Sequence, residues 1–150
     1  MKRSILLSLT ALLFFTSLKV KAQNDAFSGT WLIKNKVSIS GILYSNAVAD
    51  TIHLAQEGNK MTMNGTTLTN RRKYVQETQT NQKMVDSLSW NGDNSGFIIT
   101  VKLYDNSDHA KLIYQRINNY SLTNGELVLD RRDENFANGE IWEVKATYTK

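Results

Sequence analysis

After an apolar N-terminal run, the chain is a succession of short segments in which apolar and polar residues alternate. Val48-Ala49-Asp50-Thr51-Ile52-His53-Leu54, Lys60-Met61-Thr62-Met63 and Phe97-Ile98-Ile99-Thr100-Val101-Lys102-Leu103 are three of them. The stretches 126–131 and 141–148 continue the pattern. Successive side chains of a strand point to opposite faces, so this period buries one face and wets the other. Glu57-Gly58-Asn59-Lys60, Asn91 to Gly96, Thr123-Asn124-Gly125-Glu126 and Asn138-Gly139 separate the runs. These residues tolerate positive φ, and Asn-Gly between alternating runs marks a hairpin. The pattern predicts strands near 28–39, 48–56, 60–68, 70–79, 83–90, 96–104, 110–122, 126–132 and 140–149, with no long amphipathic helix. An antiparallel meander of eight to nine strands must close or stack to bury its apolar face, and closure also removes exposed edges. The fold class expected is all-β, closed into a barrel. Three strand–turn–strand stretches resemble one another, but their irregular spacing is that of ordinary hairpins, not of a solenoid.

The first 22 residues stand apart. Met1-Lys2-Arg3 is basic, Ile5 to Phe15 is almost unbrokenly apolar, and Lys19-Val20-Lys21-Ala22 ends in a small residue before Gln23. This is the layout of a cleavable signal peptide, with cleavage after Ala22. The apolar run is about a dozen residues where a spanning helix needs about 20, so stable membrane insertion is not expected. Residues 1–22 are thus read as the leader and 23–150 as one domain, exported to the periplasm or secreted.

Export changes the charge argument. Of the 18 Lys and Arg, four (Lys2, Arg3, Lys19 and Lys21) lie in the leader, leaving 14 against 14 Asp and Glu. The pI of 9.3 therefore belongs to the leader and gives no support for nucleic acid, which needs a clustered basic surface. The chain has no cysteine, which excludes disulfides, thiolate metal sites and a lipid-bearing cysteine.

Asp25-Ala26-Phe27-Ser28-Gly29-Thr30-Trp31 opens the domain. A Gly-x-Trp at the head of a first strand resembles the opening of the lipocalin and calycin barrels, and Phe-x-Gly-Thr-Trp that of fatty-acid-binding proteins. With the hairpins, Leu127-x-Leu129-x-Arg131 and the ending Tyr148-Thr149-Lys150, the chain resembles the small exported lipocalin-like domains of bacteria. The resemblance implies a ligand-holding barrel whose closed end is plugged by Trp31 beneath an Arg from a late strand, here Arg131. A guanidinium over an indole gains about 0.5–2 kcal/mol. The chain departs from fatty-acid-binding proteins in two respects. Ser38 to Asn46 is too short and too rich in Ser and Gly for their helical lid, and Ala146 stands where their Arg-x-Tyr carboxylate grip has its Arg. Streptavidin-like barrels share Gly-Thr-Trp, but their biotin-binding polar set has no counterpart here.

Chemistry is sparse. His53 falls on the outward parity of its strand, and His109 follows the turn-like Asp105-Asn106-Ser107-Asp108, which lacks the Gly and Glu of an EF-hand loop. No Gly-x-Ser-x-Gly elbow surrounds Ser87, Ser89 or Ser95. No catalytic residue, metal site or cofactor is expected. Asn70-Arg71-Arg72-Lys73 reads as a wet strand start, and Asp130-Arg131-Arg132-Asp133-Glu134 as a solvated, mutually paired charge run.

Inward parity falls on Trp31, Ile33, Val37 and Ile39 in the first strand, and on the aromatic candidates for a cavity later. Trp90, Tyr114, Arg116, Trp142 and Tyr148 would line an apolar pocket with a few polar handles. Arg116 needs a partner, because a buried lone guanidinium is too costly to keep, and Asp86 shares the required parity. The favoured reading is a non-catalytic binding protein for a small apolar or amphipathic ligand. The alternative is an envelope interaction or inhibitor module with a packed barrel interior.

Overall fold

The computed structural model of the chain describes residues 25–40, 48–105 and 111–150, the side chains of 38–40 excepted. The leader, Ile39's inward placement, Asn106, Asp108 and His109 lie outside these described parts. Ten strands follow one another: β1 (Gly29–Ser40), β2 (Thr51–Glu57), β3 (Lys60–Met63), β4 (Thr66–Thr69), β5 (Lys73–Glu77), β6 (Lys83–Trp90), β7 (Gly96–Tyr104), β8 (Leu112–Thr123), β9 (Glu126–Asn135) and β10 (Glu140–Thr149). All pair antiparallel in one sheet, in the order β4-β3-β2-β1-β10-β9-β8-β7-β6-β5. β1 pairs with β10, so the meander curls back on itself.

The open edges are β4 and β5, and the residues between them stitch the barrel. Arg71 N donates to Leu88 O on β6 at 2.8 Å, and Trp90 N donates to the Asn70 side chain at 3.2 Å. The Tyr74 hydroxyl bonds back to Thr69 across the gap. The expected strand 70–79 therefore begins only at Lys73, since Asn70 to Arg72 serve as the clasp, with Arg71 at φ 62°.

The single strand expected over 60–68 is two strands. Asn64 (φ 47°) and Gly65 (φ 86°) make a tight turn between β3 and β4. Two successive positive φ values suit the right-handed twist of a hairpin, and Asn-Gly is the pair that adopts them. The count rises from nine to ten for this reason.

One end of the barrel is solid. A single 3-10 turn, Asp25–Phe27, pushes Phe27 under the sheet, where it meets Trp90 and Phe97 with ring centroids 5.8 and 5.1 Å away. Trp31, Ile52, Met61, Leu88, Tyr120, Leu127 and Tyr148 complete this packed core. Trp31 Nε1 donates to Phe27 O at 2.8 Å, so the indole fixes the plug through a hydrogen bond as well as by packing.

β1 departs from simple alternation. Its pairing with β10 slips between Ile33 and Asn35 and again between Ser38 and Ser40. An extra residue in one strand reverses the parity of the residues after it. Val37, expected inward, is accordingly 52% exposed, whereas Lys36 faces the interior opposite buried Ala146. Outside, Lys34 pairs with Glu126.

Candidate functional site

The interior changes character along the barrel. Directly opposed residues of paired strands share a face. Register places Asp86, Val101, Arg116, Asp133 and Trp142 side by side across β6 to β10. Asp133 has the parity of buried Leu127 and Leu129, and Asp86 that of buried Leu88, so the whole row faces inward. It lies on the far side of the core from Phe27. There the inward residues Met84, Asp86, Val101, Leu103, Tyr114 and Arg116 are only half-buried, whereas Leu88, Phe97, Ile99 and Tyr120 nearer the plug are closed from solvent. The barrel is therefore packed at one end and accessible at the other.

Asp133 organises this accessible half. It is 6% exposed and receives four hydrogen bonds. Arg131 donates through Nε to Oδ2 at 2.5 Å and through Nη2 to Oδ1 at 3.2 Å. Arg116 Nε donates to Oδ1 at 2.7 Å, and the Tyr114 hydroxyl donates to the same oxygen. Arg116 Nη2 in turn donates to the Tyr114 hydroxyl oxygen at 2.8 Å. Burial alone would raise the Asp133 pKa. The donors from Arg131, Tyr114 and Arg116 outweigh it and hold the carboxyl below its ordinary value. Burial and the bond to Asp133 push the Tyr114 hydroxyl up.

Asp86 contrasts with it. Among the described residues no group bonds its Oδ1, although that atom is buried. Desolvation raises its pKa. The partner expected for Arg116 was Asp86, but the guanidinium turns to Asp133. Asp133 is directly opposite on the adjacent strand, whereas Asp86 is two strands away, about 10 Å at the usual spacing. Trp90 Nε1, on the same inward face of β6, is also buried without a partner among the described residues.

The five cavity candidates thus divide. Tyr114, Arg116 and Trp142 lie in the accessible half, Trp142 in register with Asp133. Trp90 and Tyr148 belong to the packed end. Trp90 sits on Phe27 and Phe97, and Tyr148 is fully buried with its hydroxyl donating to Ala49 O at 3.0 Å. Of the expected plug pair, Trp31 and Arg131, each has another partner in the structure. The cation over Trp31 is Lys150 Nζ, 4.8 Å from the ring, while Arg131 is drawn to Asp133. Lys150 reaches the indole because β10 ends beside the start of β1. Arg131, two residues before Asp133 on the same face, has a carboxylate at hand.

Asp133 was the residue missed. Its run reads as solvated charge, yet counting on by two from Leu127, Leu129 and Arg131 reaches it. His53 is exposed as expected, its Nδ1 3.0 Å from Thr30 Oγ1. Among the described residues no cluster of His, Cys, Asp or Glu is arranged to hold a metal ion. A groove of about 270 Å³ lies along β8 to β10, lined by Ile117, Asp130, Arg131, Arg132, Glu143 and Val144. Its charges are already matched, Arg132 to Glu143 at 2.6 Å and Lys145 to Asp130 at 3.4 Å.

No family model matches the chain, and no curated protein sequence matches it. Among solved structures it is similar to zebrafish ileal bile acid-binding protein complexed with cholic acid, with a TM-score of 0.53. The match covers 83% of this chain and 98% of that one at 17% sequence identity. The fold is a calycin-like barrel. At this identity the likeness is one of fold, and the site must be argued from the residues of this chain.

Proposed function

We propose that the chain is a non-catalytic binding protein that takes a small apolar or amphipathic molecule into the accessible half of its barrel. The observation that carries this reading is the change along the interior. Inward-facing Met84, Val101 and Leu103 stay half-exposed beside a bonded polar cluster, above a core that is otherwise closed. Apolar walls with a few fixed polar groups are the usual composition of a ligand site. The barrel fold, shared with a bile acid-binding protein, supports the same reading. An interaction module with a packed interior would instead use the outer surface, where Leu32, Val37, Val75 and Ile141 are exposed. The half-exposed inner face favours the first reading.

Residues 1–22 further suggest that the protein works outside the cytoplasm, its leader removed after Ala22. One experiment addresses both proposals. The full chain is expressed in a bacterial host, the periplasmic and secreted fractions are collected without detergent, and the protein is weighed by native mass spectrometry. The expected species begins at Gln23 and carries an adduct of small-molecule mass that is lost on denaturation. A species retaining Met1 would overturn export. The absence both of an adduct and of saturable tryptophan quenching by added amphiphiles would overturn the binding reading.

A further inference from the structure

The interior holds two carboxyl groups on one transverse row, and they are treated differently. Asp133 is saturated by Arg116, Arg131 and Tyr114. Asp86 has a buried oxygen that no group bonds among the described residues. Its register neighbours are Tyr74 on β5 and Val101 on β7. The Tyr74 hydroxyl is committed to Thr69, and Val101 offers no side-chain donor. A buried carboxyl oxygen left without a donor is costly, and a protein that merely needed a packed wall would place an apolar residue there. Met84 and Leu88, two residues to either side on the same face, show that this wall accepts one.

We propose that Asp86 receives the polar end of the barrel's ligand, and that this end is a hydrogen-bond donor, an ammonium or a hydroxyl, rather than a carboxylate. The inference rests on the ligand-binding reading above and specifies its substrate class. A donor head group supplies what Asp86 lacks, and the apolar tail then lies against Met84, Val101 and Leu103. A carboxylate would approach a second carboxyl. Of the guanidiniums near this face, Arg116 already gives Nε to Asp133 and Nη2 to Tyr114, and Arg72 lies over the Tyr74 ring, 5.2 Å from its centroid. Counted by formal charge, Arg116, Arg131 and Asp133 together carry one positive charge. An anionic head group drawn to that cluster is therefore the competing occupant, and the test must separate the two.

Three ligands of one chain length do so: dodecylammonium, dodecanol and dodecanoate, titrated below their aggregation concentrations and followed by tryptophan fluorescence. Wild type, Asp86→Leu and Asp86→Asn are compared. Wild type is expected to bind at least one donor ligand about tenfold or more tighter than dodecanoate, the scale of one charge-assisted hydrogen bond. In Asp86→Leu the preference collapses to within about threefold. Asp86→Asn separates the two donors: it loses a preference for ammonium and keeps one for the alcohol. Asp86→Leu removes a buried carboxyl oxygen that has no donor, so its melting temperature without ligand is expected to equal or exceed that of wild type, and circular dichroism checks the fold. Dodecanoate binding as tightly as the donors, or a preference unchanged in Asp86→Leu, overturns the assignment of Asp86 and leaves the binding reading standing. No saturable binding of any of the three overturns both.

Discussion

Asp133 sits between two guanidiniums and a phenol, and those donors come from two strands, Tyr114 and Arg116 from β8 and Arg131 from β9. Removing the carboxylate leaves Arg116 and Arg131 facing one another in a half-dry interior. Breaking a buried pair from one side is costly because the remaining charge is uncompensated. Asp133→Ala is expected to lower stability by about 3 kcal/mol, read by urea denaturation. The pH dependence has a definite sign. The folded Asp133 pKa lies below the unfolded one, so its contribution is full above the ordinary carboxylate value of about 4 and is lost as pH falls below it. Asp86 has the opposite shift: its charged form is disfavoured by the fold, and that cost grows as pH rises above the same value. Wild type should therefore lose more stability on acidification than Asp133→Ala does, and denaturation midpoints at two pH values test this.

At the level of elements, turns decide how many strands the alternating runs become. Asn64-Gly65 divides a nine-residue run into β3 and β4 because both residues take positive φ. A Cβ on Gly65 would meet nothing within 4 Å, so only the backbone conformation opposes a side chain there. Gly65→Ala is expected to cost about 1 kcal/mol, the strain of a left-handed alanine, seen as a fall of a few degrees in melting temperature. The bulge in β1 is the other decisive irregularity. It exchanges Val37 for Lys36 on the inner face, an exchange no count by twos along the sequence would find. The expected strands 83–90, 96–104 and 140–149 coincide with β6, β7 and β10, and a further slip falls where Tyr104 pairs with Leu112 and passes over Ile113 of β8.

The whole barrel determines how its buried phenols titrate. Burial, then the nearby charge of Asp50, pushes the Tyr148 hydroxyl up to about 12, and burial raises Tyr120 as well. The folded state keeps both protonated where the unfolded chain would ionise them. Their stabilising effect is complete below the ordinary phenol value of about 10, and that of Tyr148 is lost as pH rises through about 12. A spectrophotometric titration should show the exposed tyrosines ionising first, followed by a cooperative step at which Tyr148 and Tyr120 ionise as the barrel opens. Gradual ionisation of every tyrosine near pH 10 would count against this packing.

The sequence by itself determined the all-β meander and most of its turns. These follow from local chemistry: period-two alternation, and Asn and Gly at positive φ. It also placed Tyr114, Arg116 and Trp142 on the inner face, because parity is a local property of each strand. Tertiary structure alone decided which inner residues meet. Arg116 and Asp133 are 17 positions apart in the chain, and Lys150 and Trp31 more than a hundred. Such pairs depend on register between strands and on where the sheet closes. That closure gave Asp133 its three partners and left the buried Oδ1 of Asp86 with none among the described residues.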